Sequence, residues 1–457
     1  MHFNDIWLRR GLAGLFLGVA FMLAACAGQM PEGGGNASPR GHSSGAVAIA
    51  DESIAASIAR EIFDKGGSAG DAAVAVAFAL TVTYPASAGL GGGGECLYFN
   101  RARNETASFD FLPSAPSSGG NLGVPGLVRG LALIHSTYGR LSWDRVVAPA
   151  QRLAEVGFRA SHSYVQRLSG DIAVRTVPKE YVDLMGGWVT DDRLIRQTIL
   201  AKTLTEIRRD GPDAFYTGII AEMFAAESEG QLTPADLASY RPSVALGEIR
   251  SFGNNGTLIM PALSQTSGSM ADALLRAWSS DGATTVKAAL ATQGIGDMPL
   301  DLGSTGFIVA DGAGNVAACG LTMYGPFGAR FVAKSVGIAF APAPRQSTGG
   351  IAGALLQPAL VVADGDVRYA SVAGGNADSL AAYVDALNAY SIGGIEAVRP
   401  IVKDRELGPV GVFMVGVCDE DMPSRQCRYG PTTGSFGHVL TTDSDAGHAF
   451  HEDEQQS

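Results

Sequence analysis

The sequence has no excess of positive charge to offer a polyanion. Its 33 Lys and Arg stand against 45 Asp and Glu, a formal net charge of −12. A nucleic-acid binder needs a basic face to neutralise phosphates, so that class is excluded. Charged residues are scarce altogether, 17% against 46% hydrophobic, which excludes disorder over most of the length. The apolar stretches 11–22 and 71–82 both fall short of the roughly 20 residues that a membrane-spanning helix needs. There are 5 cysteines, with no CxxC pair and no His/Cys cluster at ligand spacing, so neither a structural zinc nor any other metal is expected. No internal repeat occurs. Glycine is abundant, 60 residues without a three-residue period, which implies tight turns and close backbone approaches and not collagen. At 457 residues the chain can form one large domain or two to three ordinary ones.

Arg9 and Arg10 precede the apolar residues 11–22, and Leu23-Ala24-Ala25-Cys26 follows as a small-residue cleavage site ending in cysteine. Residues 1–25 read as a signal peptide. Cysteine at that place resembles the lipobox of bacterial lipoproteins, which implies lipidation of Cys26 and a membrane anchor. Ala27 supplies no Asp-type retention signal. The expected location is the bacterial cell envelope, lipid-anchored, facing the periplasm, at the outer membrane. Residues 26–45, rich in Gly, Ser and Pro, read as a flexible tether. In that compartment Cys418 and Cys427 can close a short loop. Cys96 and Cys319 lie in apolar, strand-like runs and read as buried thiols.

Helix and strand patterns alternate along the rest. Residues 52–64 and 71–82 have helical spacing, the second apolar nearly all round and therefore buried. Strands are expected at 96–99, 106–111, 257–260, 306–310, 316–321 and 359–362, with mostly helical text over 126–224 and a helix at 379–390. From Thr441 the chain is polar and acidic, and 441–457 reads as a disordered tail.

Three tempting motifs fail on context. Gly89 to Gly94 satisfies GxGxxG, but a helix precedes it and a strand follows, the reverse of a dinucleotide fingerprint; no GK[ST] accompanies it. No cofactor is expected. Gly41-His42-Ser43-Ser44-Gly45 satisfies GxSxG inside the tether, with no strand before it. The 7 histidines, His135, His162 and His438 among them, sit in no triad context and read as structural.

Other segments carry a resemblance. Gly66-Gly67-Ser68-Ala69-Gly70-Asp71-Ala72-Ala73-Val74-Ala75 resembles the GGNAxDAAVA segment of gamma-glutamyltransferases. The run GLGGGGE, Asp110-Phe111 with Ala115-Pro116, and Val124-Pro125-Gly126 continue it in the family's order. So do Tyr138-Gly139-Arg140-Leu141, Leu153 to Phe158, Phe215-Tyr216-Thr217-Gly218 and Asp236-Leu237-Ala238-Ser239-Tyr240. After a stretch that is short for the family, the likeness resumes at Ser304-Thr305-Gly306-Phe307, Asp311 to Asn315, Thr322, Phe327-Gly328 and Gly374-Gly375.

The resemblance implies an N-terminal-nucleophile hydrolase, an αββα four-layer sandwich. Residues 46–303 would be the large-subunit-like region and 304–440 the small-subunit-like region of the same sandwich. Such precursors cut themselves before the nucleophile, whose own α-amine then serves as base, so no histidine is needed. Carried over by position, Ser304 is the nucleophile, Thr305 the residue after it, Thr322 its supporting hydroxyl, and Gly374 and Gly375 the oxyanion donors. The cleaved fragments would stay associated. Departures fall on the substrate clamp. Leu112 stands where the family has an Arg for the α-carboxylate, Ala354 and Leu355 where it has Ser-Ser, and Tyr324 where it has Asn. A bidentate guanidinium has no substitute in an isobutyl group. The acidic position for the α-amine falls in Ala341-Pro342-Ala343-Pro344. Arg330 and Arg345 are the candidates for rebuilding the clamp. Two classes of function follow: a hydrolase or transferase of gamma-glutamyl or other amides with altered specificity, or an inactive relative acting as a binding or structural lipoprotein.

Overall fold

A computed structural model describes residues 45–442 and 448–449, apart from 170–176, 254–255, 263–300, 345–355, 406, 408–409, 420–421, 425 and 432–437. Cys26, the signal peptide and most of the tether therefore lie outside the described residues. The described strands begin with β1 (Val47–Ala50), β2 (Gly93–Asn100) and β3 (Glu105–Asp110), then a short ribbon of β4 (Phe158–Arg159) and β5 (Leu194–Ile195). Next come β6 (Ser243–Leu246), β7 (Glu248–Phe252), β8 (Gly256–Met260), β9 (Ser304–Ala310) and β10 (Val316–Thr322). A second ribbon of β11 (Val332–Ala333) and β12 (Ile338–Ala339) precedes β13 (Gln357–Ala363), β14 (Asp366–Gly374) and β15 (Val412–Val417). The chain closes with β16 (Arg428–Pro431), β17 (His438–Thr441) and β18 (His448–Ala449).

Two sheets of seven described strands result, in the orders β17-β1-β9-β10-β2-β3-β6 and β18-β16-β15-β14-β13-β8-β7. Side chains alternate across the first sheet as the pleat requires. Phe307, Val309, Ala317, Cys319 and Tyr98 pack with the helices outside. Ile308, Ala310, Ala318, Leu97 and Phe99 point the other way and pack with Val372, Leu360 and Met414 of the second sheet. The outer face of the second sheet is covered by the helical segment Ala377–Asp404, broken by a kink at Gly393 and Gly394, which lies on β14 and β15. The four layers are the αββα sandwich that the resemblance implies.

The helix Ala69–Thr83 is the centre of the outer layer. Ser68 and Asp71 form a reciprocal capping box at its start, and every one of its residues is buried. With no polar face it must be covered all round. Strands β9 and β10 lie on one side, and the helices Ser53–Asp64, Leu127–Tyr138 and Trp143–Val156 on the others. The β9–β10 hairpin is pinned to this helix by Asp311, whose Oδ2 accepts the Ala69 N–H at 3.0 Å.

Two expectations change. Cys96 and Cys319 are joined in a disulfide and are not free thiols. They face each other in the β2–β10 register, which brings together residues 223 apart in sequence. Cys418 and Cys427 also pair, closing the short loop expected. Where the sequence suggested a disordered tail, Thr441 closes β17 against β1, and His448–Ala449 run parallel to β16. Backbone ladders at a sheet edge are indifferent to the polarity of the side chains beside them.

Candidate active site

Ser304 is the first residue of β9 and is 1% exposed. The sequence pattern began this strand at Gly306, because Gly-Ser-Thr-Gly reads as turn text. Its Oγ donates to Thr322 Oγ1 at 3.1 Å, across the register pair Ser304–Thr322. Thr322 Oγ1 also accepts the Tyr324 N–H at 3.0 Å and lies 3.4 Å from the carbonyl oxygens of Leu302 and Gly303. The Gly303 oxygen in turn accepts the Met323 N–H at 2.9 Å. The carbonyl just before Ser304 therefore has a fixed backbone donor and a hydroxyl at hand, the arrangement that stabilises a tetrahedral oxyanion.

The approach to Ser304 is tightly held. Gly303 has φ +59°, and a Cβ on it would run into the Gly325 backbone, so glycine is required there. Its N–H donates to Asp301 Oδ1 at 2.8 Å, and the Leu302 N–H donates to the Gly375 oxygen at 3.0 Å. Asp301 is gripped by Arg167, from the helix His162–Ser169, through two parallel bonds of 2.6 Å. Both side chains are 2% exposed. The guanidinium also reaches Ser87 Oγ at 3.2 Å from two nitrogens. Burial alone would pull the Arg167 pKa down, but the carboxylate of Asp301 outweighs it and the group is held above its usual value. Sequence reasoning missed Arg167, Asp301 and the Met323 N–H. Asp301 stands three residues before Ser304, a local signal in the sequence; Arg167, 134 residues away from its partner, carries none.

The other expected residues divide. Thr305 belongs to the opposite face of β9, where its hydroxyl donates to Asp51 Oδ2 at 2.7 Å, so it is not brought to the Ser304–Thr322 pair. Gly374 ends β14 and Gly375 follows it; the Gly374 oxygen accepts the Asn376 N–H, and the Gly375 oxygen accepts the Leu302 N–H. Leu112 and Tyr324 are buried in one apolar cluster with Leu302 and Leu356, and the Tyr324 hydroxyl reaches the Pro113 oxygen at 3.5 Å. Ala354, Leu355 and Arg345 lie outside the described residues, and Arg330 is exposed. The glycine run serves packing: a Cβ on Gly92 would sit 2.5 Å from the Thr322 oxygen, which explains the close fit of this loop to the end of β10. Among the described residues, no group of three His, Cys, Asp or Glu side chains is placed to hold a metal ion.

Residues 55–280 match the model of the gamma-glutamyltranspeptidase family. The chain is 34% identical over 222 residues to the glutathione hydrolase proenzyme of Pseudomonas aeruginosa, covering 43% of this chain and 39% of that protein. It is 35% identical over 217 residues to glutathione hydrolase 7 of Mus musculus, covering 43% and 32%. It thus spans about a third to two fifths of the length of these curated relatives. In fold it is similar to the crystal structure of cephalosporin acylase from Bacillus halodurans, with a TM-score of 0.68 over 87% of this chain and 95% of that one at 18% identity. The colinear motifs and the family model together show a gamma-glutamyltranspeptidase-family region over residues 55–280, and the four-layer fold is the one shared with the acylase structure.

Proposed function

We propose that this chain is an amide hydrolase or acyl transferase that matures by cutting itself between Gly303 and Ser304. The observation that carries this reading is the Ser304–Thr322 hydroxyl pair at 3.1 Å beside a Gly303 carbonyl held by Met323. Ser304 Oγ adds to the Gly303 carbonyl carbon, and its proton passes by way of Thr322 to the departing nitrogen of Ser304. The C–N bond breaks, an ester joins Gly303 to Ser304, and water hydrolyses it. The freed α-amine, with an ordinary pKa of about 7.7–8.0, then acts as base for the same hydroxyl. In turnover, Oγ takes the acyl group of an amide substrate, the amine leaves, and water or a second amine accepts the acyl group.

The relatives named as glutathione hydrolases support gamma-glutamyl amides as the starting class of substrate. Leu112 and Tyr324, buried in an apolar cluster, argue for weak gamma-glutamyl turnover and a different preferred acyl group. The same filled cluster favours a second reading, an inactive family member kept as a binding or structural lipoprotein. A reducing, denaturing gel decides between them: the enzyme reading requires a fragment of residues 304–457, and the scaffold reading a whole chain. The gel must be reducing, because Cys96 and Cys319 lie on opposite sides of the cut. We expect cut protein to run as one band without reductant and as two with it; two bands in both lanes would refute the cross-link. The fragments also interleave, since β9 and β10 of one insert between β1 and β2 of the other.

The Leu23-Ala24-Ala25-Cys26 motif further supports a lipid-anchored envelope protein. Cys26→Ser is expected to release the protein from membranes or leave its leader uncut. Membrane fractionation equal to wild type, with no acyl group on wild-type Cys26 by mass spectrometry, would overturn this.

A further inference from the structure

Ser304 opens towards the space between the sheets, and so does a pair of carboxylic acids that the cutting chemistry does not use. Glu95 on β2 and Asp110 on β3 are direct register partners. The pleat puts Glu95 on the same face as Leu97 and Phe99, which pack between the sheets. Ser304 shares that parity on β9 with Ile308 and Ala310. Glu95 pairs with Gly320, and Gly320 with Gly306, so the acid sits two strands over and two residues along from the nucleophile. Strand spacing and rise make that about 12 Å between backbones, and the two side chains close part of it. Gly306 and Gly320 put no side chain of their own in between; Val372 lies over Gly306 and Leu356 over Gly320.

Glu95 is 2% exposed, and its Oε1 has no hydrogen-bond partner. Asp110 accepts the Leu112 N–H at 3.0 Å. Among the described residues, no Lys or Arg forms an ion pair with either acid. Burial, and then the neighbouring Asp110, push the Glu95 carboxyl well above its usual range; burial raises Asp110 as well. An unpaired carboxyl oxygen in such a place is unfavourable unless a bound group supplies a donor.

Leu302 indicates what covers the site before the cut. It is buried in the cluster that holds Leu112, Tyr324 and Leu356, and Leu356 lies over Gly320. In self-cleavage Ser304 Oγ takes an acyl group that is the chain ending in Leu302-Gly303. In turnover the same oxygen takes the substrate's acyl group. The seat of Leu302 is therefore next to where that group must lie, and the cut frees Leu302 at a chain end.

Resting on the hydrolase reading, we propose that the seat left by Leu302 after the cut selects acyl groups with an apolar body ending in an ammonium, held by Glu95 and Asp110, and disfavours those ending in a carboxylate. A bound ammonium favours the ionised form of Glu95 and satisfies its Oε1 by a charge-assisted bond, whereas a carboxylate brings no donor to Oε1 and adds a third acid to the pair.

The test uses cut protein and two amides of matched length, 5-aminopentanoyl and glutaryl p-nitroanilide. Wild type should favour the amino compound in kcat/KM by roughly tenfold or more. Glu95→Gln should lower turnover of the amino amide and raise that of the glutaryl amide, erasing the preference. Asp110→Asn, which keeps an acceptor for the Leu112 N–H, should shift the ratio the same way. A purely structural fault would lower both rates together and leave the ratio in place, which overturns the proposal. Wild-type preference for the glutaryl amide, or turnover of neither amide by cut protein, also overturns it while leaving self-cleavage standing. A chain that never cuts overturns the hydrolase reading and this proposal with it.

Discussion

Ser304→Ala is expected to leave the chain whole, with no 304–457 fragment on a reducing gel at any time after synthesis. Without Oγ no atom of β9 can add to the Gly303 carbonyl, because the next hydroxyl, that of Thr305, is bound to Asp51 on the other face of the sheet. Thr305→Ala should therefore still cut. Thr322→Ala is expected to slow the cut without abolishing it. It removes the acceptor of the Ser304 proton and a hydroxyl 3.4 Å from the Gly303 oxygen, but the Met323 N–H stays in place at 2.9 Å. Loss of one oxyanion donor slows acyl transfer by about 10²- to 10³-fold, so partial cutting over hours should replace prompt maturation. A Ser304→Ala chain that still yields the fragment would place the nucleophile elsewhere. Equal rates for wild type and Thr322→Ala would remove Thr322 from the proton path.

The parts of this arrangement visible in the sequence are those encoded by neighbours. The helix Ala69–Thr83 announces itself by an unbroken apolar run after Ser68, and the structure buries all of it. The Ser304–Thr322 hydroxyl pair was readable through colinear motifs, since both residues stand at fixed distances from Asp311 and Asn315. What the pattern hid depends on register and on long separations. The face on which Thr305 lies follows from the pleat of β9, which begins at Ser304, two residues before the Gly306 at which the sequence pattern starts it. Cys96 and Cys319 looked like isolated apolar cysteines until the β2–β10 pairing set them opposite each other. Glu95 sits in the run Gly93-Gly94-Glu95-Cys96, where one acid among glycines has no helical or strand signature of its own. Its meaning comes from Asp110 across the ladder and from the second sheet above it.

Arg167→Met is expected to be the most damaging single change outside Ser304. It leaves the Asp301 carboxylate 2% exposed and without its two 2.6 Å bonds. Breaking a buried ion pair by removing one partner costs about 3–5 kcal/mol, because the remaining charge is left uncompensated. Measured in the Ser304→Ala background, where every chain stays whole, the unfolding midpoint should fall sharply. Arg167→Met with Asp301→Leu removes both charges and should recover most of that loss, since replacing a buried pair by apolar groups is often neutral. Self-cleavage should not recover with it. Asp301 Oδ1 also accepts the Gly303 N–H at 2.8 Å, and that bond holds the scissile peptide at φ +59° against the Gly325 backbone. The double variant, in a chain that retains Ser304, should therefore be stable and slow to cut. Stability and cutting that recover together would reduce the pair to packing; stability that recovers alone identifies Asp301 as the residue that positions the bond to be broken.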